Sequence, residues 1–99
     1  MEKGGGVYIL TNKNHTTFYV GVTSELYPRI VDHKEKRYKR SFTARYNLTK
    51  LVYFELYHSI EEAISREHQL KAGSRQRKID LINRLNPQWK DLFDDISKW

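Results

Sequence analysis

Two short strand-like tripeptides near the start of the chain, Gly6-Val7-Tyr8 and Tyr19-Val20-Gly21, constrain its fold most. Each carries one tyrosine and one glycine, in mirrored order, across a gap that holds a tight loop. Val7 to Thr11 is rich in β-branched and aromatic types and reads as a strand. Asn12-Lys13-Asn14-His15 has turn composition, and Thr16 to Val22 reads as the partner strand of an antiparallel hairpin. A four-residue loop between Thr11 and Thr16 sets Tyr8 opposite Tyr19. Both tyrosines then share one face, with Val7, Ile9, Phe18 and Val20 on the other. Gly21 leaves the tyrosine face open to a close-approaching ligand. Residues 1–5 read as a flexible lead-in, because Gly4, Gly5 and Gly6 offer no side chains to pack.

The remainder alternates helix, strand and helix. Thr23 or Ser24 caps a first helix to about Lys36, with Glu25 in its first turn, Pro28 near that end, and Leu26 and Ile30 on its apolar side. Leu51 to Tyr57 is a half-buried strand. Ser59-Ile60-Glu61-Glu62 is a capping box that opens a second helix, which Gly73 closes at C′. Ser74 caps a third helix carrying Ile79, Leu81, Ile82 and Leu85, and Asn86-Pro87 breaks it. A terminal helical segment offers Trp89, Leu92, Phe93 and Ile96 to the core. The expected fold class is α/β (α+β): a small three-stranded antiparallel-type sheet flanked by helices, in the order β-β-α-β-α-α, forming a single domain over residues 1–99.

Composition narrows the function. There is no cysteine, which removes disulfide frames, cysteine–zinc sites and thiol chemistry. No apolar run approaches the ~20 residues of a membrane span, and the first residues lack a signal-peptide segment, so a cytoplasmic protein is expected. Lys and Arg number 18 against 12 Asp and Glu, a formal charge of +6. That balance favours a polyanionic partner such as nucleic acid.

Three sets of residues carry chemistry. On the second helix Ile60, Ala63 and Ile64 define an apolar stripe, and Glu67 falls within it by helical projection. A carboxylate there must be paired, hydrogen-bonded or metal-bound, the plain alternative being a pair with Lys71 one turn on. Arg29 and His33 lie one turn apart on the first helix and can converge on one spot. Arginine suits phosphate through its planar fork, and histidine can take or relay a proton near neutral pH. Tyr8 and Tyr19, in isolation, are as easily packing residues as functional ones.

Taken together, Gly6-Val7-Tyr8 and Tyr19-Val20-Gly21 resemble the two signature motifs of the GIY-YIG nuclease superfamily, with valine in place of isoleucine. Arg29, His33 and Glu67 fall where that family keeps an arginine, a variable histidine or tyrosine, and a metal-binding glutamate. The resemblance runs to Asn86-Pro87-Gln88-Trp89-Lys90-Asp91-Leu92, which looks like the ending of small stand-alone bacterial members. It implies metal-assisted hydrolysis of a DNA phosphodiester, with Glu67 holding one Mg²⁺ or Mn²⁺. Tyr8 acts at the attacking side, as general base toward water or as an orienting hydroxyl, and His33 or a nearby lysine draws its proton away. Tyr19 binds a phosphate oxygen or the water, and Arg29 stabilises charge on the phosphate. Asn86 is the candidate for a late family asparagine, with Asn83 close enough to compete.

The segment from Lys34 to Lys50 is basic, with Tyr38, Phe42 and Tyr46 interleaved. It reads as a nucleic-acid contact through Lys39, Arg40 and Arg45, with rings free for stacking, or as a solvated loop that those rings anchor to the core. Lys71, Arg75, Arg77 and Lys78 form a second candidate cluster for nucleic acid. The expected partner is DNA, with RNA left open, and with neither a membrane nor a disulfide-linked partner. With no appended recognition domain, low sequence specificity in DNA repair or processing is expected. The alternative is a weakly catalytic nucleic-acid-binding module acting with a partner.

Overall fold

A computed structural model describes residues 4–98. Three strands form one antiparallel sheet in the order β2-β1-β3. Strand β1 spans Gly5–Thr11, β2 Phe18–Thr23 and β3 Lys50–Tyr57. The helices are α1 (Leu26–Lys34), α2 (Phe42–Arg45), α3 (Ile60–Ala72), α4 (Arg75–Leu85) and α5 (Phe93–Ile96). No helix among the described residues is long and apolar enough to cross a membrane.

Because β1 is central, it is buried along its whole length and divides the core in two. On one face Val7, Ile9 and Val20 pack with Val52, with Ala63 and Leu70 of α3, and with Ile82 of α4. On the other Tyr8 and Leu10 pack with Leu26 and Ile30 of α1 and with Leu92 and Ile96 at the C-terminal end. A bulge between Ile9 and Leu10 skips one residue of β3. Val52 and Tyr53, adjacent in sequence, therefore both serve the first core, which strict alternation would forbid.

The hairpin differs from its expected register. Tyr8 pairs with Gly21, and Leu10 with Tyr19. The loop is longer than four residues because Asn12 organises it. Its Oδ1 accepts from the Thr16 amide at 2.8 Å, and its Nδ2 donates to Thr16 Oγ1 at 2.6 Å. Thr11 Oγ1 donates to Thr17 O at 2.8 Å, which keeps Thr16 and Thr17 out of the ladder. The shift is by two residues, so both tyrosines keep the same face. Gly21 then has another purpose than an open ligand face: a Cβ there would collide with the Tyr8 ring.

Of the lead-in expected over 1–5, residues 1–3 lie outside the described residues, and Gly5 already belongs to β1. A Cβ on Gly5 would sit 2.8 Å from the Ala63 Cβ, so this glycine sets how closely α3 approaches the sheet. Helix α1 starts later than expected. Glu25 occupies its N-cap, outside the first turn, and Thr23 Oγ1 accepts the Glu25 amide at 3.0 Å. It ends before Lys36, which takes φ 53° while Arg37 N bonds Asp32 O at 3.0 Å, a Schellman-type close. Ser59 and Ser74 cap α3 and α4 as expected. Gly73 is the C-cap of α3 in extended conformation, φ −77°, and so uses no left-handed freedom. Ile64 and Leu85 are exposed and do not join the core.

Candidate active site

The site is built where α1 crosses the tyrosine face of the hairpin. Tyr8 is 1% exposed, and its hydroxyl lies 2.9 Å from His33 Nε2. The Arg29 charge also acts on that hydroxyl and favours its deprotonated form, so both α1 side chains converge on Tyr8. Their spacing of one helical turn makes this convergence possible, and the burial of Leu26 and Ile30 fixes which face of α1 turns inward. The Tyr19 ring stands 6.3 Å from the Tyr8 ring and 5.9 Å from the His33 imidazole. Tyr19, Arg29 and His33 line a cavity of about 400 Å³ whose far wall is Tyr38, Ser41, Phe42 and Thr43.

Electrostatics set the protonation of this group. Burial pushes the Tyr8 phenol up to about 12, against the lowering effect of the Arg29 hydrogen bond. Burial, and then the Arg29 charge, push His33 down to about 4, with Asp32 offsetting little of it. At neutral pH both are uncharged, and the shared proton rests on Tyr8.

Glu67 reaches the site from the opposite layer. Helix α3 buries Ala63, Glu67 and Leu70, so the carboxylate does lie on the inner stripe, at 8% exposure. Oε2 is 3.3 Å from Lys71 Nζ and Oε1 is 3.9 Å from His68 Nε2. Lys71 Nζ also lies 5.8 Å from the centre of the Tyr19 ring, linking the helix to the β2 edge. The Glu67 charge acts on Tyr8 in the direction that keeps the phenol protonated. The plain pairing with Lys71 is therefore present, and through Lys71 it adjoins the Tyr19 ring. No group of three His, Cys, Asp or Glu side chains poised for a metal occurs among the described residues. A single carboxylate suits a hard cation that keeps most of its water and takes phosphate oxygens, as Mg²⁺ does, and does not suit zinc.

Asn86 stands elsewhere in role. It is buried, and its Nδ2 donates to Val52 O at 3.1 Å and to Lys90 O at 2.8 Å, while Oδ1 accepts from Lys90 N at 3.2 Å. Its amide locks the C-terminal segment onto β3 and is not brought to Tyr8. Asn83 is exposed and accepts from Trp89 Nε1 at 2.6 Å.

The basic segment is ordered by a helix that its composition hides. Ser41 Oγ accepts the Ala44 amide at 3.2 Å and caps α2, which buries Thr43 and Ala44. Tyr38, Phe42 and Tyr46 do not anchor the loop: they are 57%, 47% and 48% exposed. Phe42 and Tyr46 lie 4.7 Å apart, and Phe42 lies 6.4 Å from Tyr19, so a shelf of rings leads away from the site. Lys34 and Lys36 are held internally by Asp91 and Asn47. Lys39, Arg40 and Arg45 are exposed and have no ion-pair partner among the described residues.

The second basic cluster splits. Arg75 bonds His15 O at 3.1 Å and lies over the Phe18 ring, and Lys78 bonds Gly73 O at 2.9 Å. Arg77 points instead into a cleft of about 550 Å³ between α3 and α4, with Arg66 and Arg84. Contiguity in sequence misled here, because successive helical residues face different ways.

Residues 4–80 match the sequence profile of the GIY-YIG catalytic domain. A UPF0213 protein of Clostridium perfringens (strain 13 / Type A) is 38% identical over 91 residues, covering 92% of this chain and 96% of that protein. A second UPF0213 protein, of Syntrophus aciditrophicus (strain SB), is 34% identical over 82 residues, 83% of this chain and 92% of its own. The solution NMR structure of a UPF0213 protein from Bacillus halodurans is similar with a TM-score of 0.56 at 27% identity, over 89% of this chain and 92% of that one.

Proposed function

The chain belongs to the GIY-YIG family, whose catalytic domain has a nuclease-type fold, and on that premise we propose that it is a metal-dependent endonuclease hydrolysing DNA phosphodiester bonds, of low sequence specificity, in DNA repair or processing. The observation that carries this reading is the meeting of Arg29 and His33 at the buried Tyr8 hydroxyl, beside Tyr19 and the Glu67–Lys71 corner.

With Tyr8 near 12 and His33 near 4, a free tyrosinate is not the resting species. Tyr8 acts as a relay: its oxygen takes a proton from the attacking water as its own hydrogen passes to His33 Nε2. The neutral imidazole is what makes that acceptor available. Arg29, which lines the same cavity, offers guanidinium hydrogens to the phosphate as charge builds there. Tyr19, at the cavity mouth, orients the water or a phosphate oxygen. Glu67 would hold the divalent cation, which would supply Lewis-acid stabilisation of the phosphate. Lys39, Arg40 and Arg45 contact the strand backbone, and the rings of Phe42 and Tyr46 offer faces to bases. Arg75, Lys78 and Lys71 are engaged within the fold, the last with Glu67, which leaves Arg77 as the better-placed cation of the second cluster.

The test is cleavage of labelled duplex, nicked, flapped, branched and single-stranded DNA with Mg²⁺ or Mn²⁺, against EDTA and Glu67→Ala. Cleavage that disappears in both controls supports the reading and reports the substrate form. DNA binding with no cleavage on any substrate replaces it with a binding module.

A further inference from the structure

Behind His33 lies a chain of hydroxyls that the proton relay described above does not use. His33 Nδ1 is 3.0 Å from Thr43 Oγ1, which is 3.2 Å from Ser41 Oγ. Thr43 is 3% exposed, and α2 fixes its backbone. We propose that Thr43 is a positioning residue: its hydroxyl accepts the Nδ1 hydrogen of His33 and so holds the ring in the tautomer whose bare Nε2 faces Tyr8. The proposal rests on the reading of Tyr8 and His33 as the proton-handling pair.

Counting hydrogens gives the direction. A neutral imidazole has one ring hydrogen, and both ring nitrogens have a hydroxyl partner within 3.0 Å. The relay proposed above requires the hydrogen of this buried phenol to point at Nε2, which lies 2.9 Å away. The ring hydrogen then sits on Nδ1, and Thr43 Oγ1 accepts it. Thr43 passes its own hydrogen to Ser41 Oγ, which also accepts the Ala44 amide as the α2 cap. Among the described residues no buried side-chain polar atom lacks a partner, His33 and Thr43 included. In the opposite sense Nε2 would donate to the Tyr8 oxygen, and the phenol hydrogen would have to leave the His33 contact.

The consequence is directional. If Nε2 carried the hydrogen, it could not receive the Tyr8 proton, and the relay would stop at its first step. A threonine nine residues beyond the end of α1 at Lys34, in a different element, thus decides which imidazole nitrogen is the acceptor.

The decisive measurement is long-range ¹H–¹⁵N correlation of the His33 ring in the full chain at neutral pH, with no metal or DNA present. The expected wild-type spectrum is that of the Nδ1–H tautomer. Thr43→Val, which keeps shape and removes the hydroxyl, shifts the ring to a mixture or to Nε2–H, and Thr43→Ser restores Nδ1–H. In cleavage assays Thr43→Val lowers kcat at least about tenfold with KM little changed, and Thr43→Ser recovers most of it. An Nε2–H ring in the wild type overturns the proposal whether or not Thr43→Val folds. An unchanged tautomer in folded Thr43→Val overturns it as well. Absence of cleavage by the wild type counts against the nuclease reading alone, since the tautomer is read without turnover.

Discussion

Two carboxylates, the half-buried Glu55 on β3 and the buried Glu67 on α3, differ in how fully the fold engages them. Glu55 is saturated. It accepts from Arg66 at 2.9 and 3.1 Å, from Tyr57 at 2.5 Å and from Tyr53. Burial alone would raise its carboxyl, but the bonds from Arg66, Tyr53 and Tyr57 outweigh that and hold it below the usual carboxylate range. Glu67 is more buried yet less engaged, with one ammonium at 3.3 Å and one imidazole at 3.9 Å. A carboxylate with no coordination left to give stabilises a fold. One with lone pairs to spare beside a cluster of tyrosines can take a cation.

The sharpest break of this contrast is Glu67→Ala. Cleavage is expected to fall by more than about a hundredfold, on the scale of losing transition-state charge stabilisation, while the thermal midpoint barely moves. Wild-type turnover in this variant would remove the metal assignment.

Glu55→Gln should do the reverse. Breaking this partly buried pair costs about 2–3 kcal/mol by urea unfolding, with activity per folded molecule retained. A Glu55→Gln protein that is fully stable but inactive would mean the two roles have been exchanged.

The pH dependence of the urea midpoint gives a finer separation. The Glu55 carboxyl is lower in the folded chain, so its contribution is full above about 4.5 and is lost as pH falls through the folded value. His33 is also lower when folded, near 4 against 6.5, so the unfolded chain takes up its proton first. Stability should therefore decline already between about pH 6.5 and 4, before the Glu55 step. His33→Gln should lessen the upper decline, to which His15, also lowered by burial and by Lys50, contributes as well, and Glu55→Gln should lessen the lower one. If both variants keep the wild-type profile, neither group carries the linkage.

The smallest effect expected is from Lys71→Gln. Removing the ammonium beside Glu67 should lower the Mg²⁺ concentration for half-maximal cleavage by about two- to threefold, with stability within about 0.5 kcal/mol of wild type. A raised Mg²⁺ requirement would show that Lys71 assists the site and does not compete in it.

Much of the site could be read from residue types and spacing. Arg29 and His33 meet at Tyr8 because one helical turn separates them, and a helix obeys that geometry wherever it is placed. Glu67 falls on an inner stripe for the same reason, although Ile64, used to draw that stripe, turned out exposed. Thr43 could not be found this way. It lies on a helix of four residues inside a segment whose charge suggests a loop, and the Ser41 cap is its only local mark. Asn86 was legible as a helix breaker, but the destination of its amide depends on how the C-terminal segment docks on β3.

The sequence by itself determined the three strands and every helix but α2, the shared face of Tyr8 and Tyr19, and the pairing of Arg29 with His33. These follow from local periodicity, and a two-residue slip in the hairpin leaves them intact. Only the tertiary structure decided that Gly21 makes room for the Tyr8 ring, that Arg75 and Arg77 part company, and that Thr43 backs His33. Each depends on contacts between segments distant in the chain, whose energies are set by packing and desolvation and not by the preferences of any one segment.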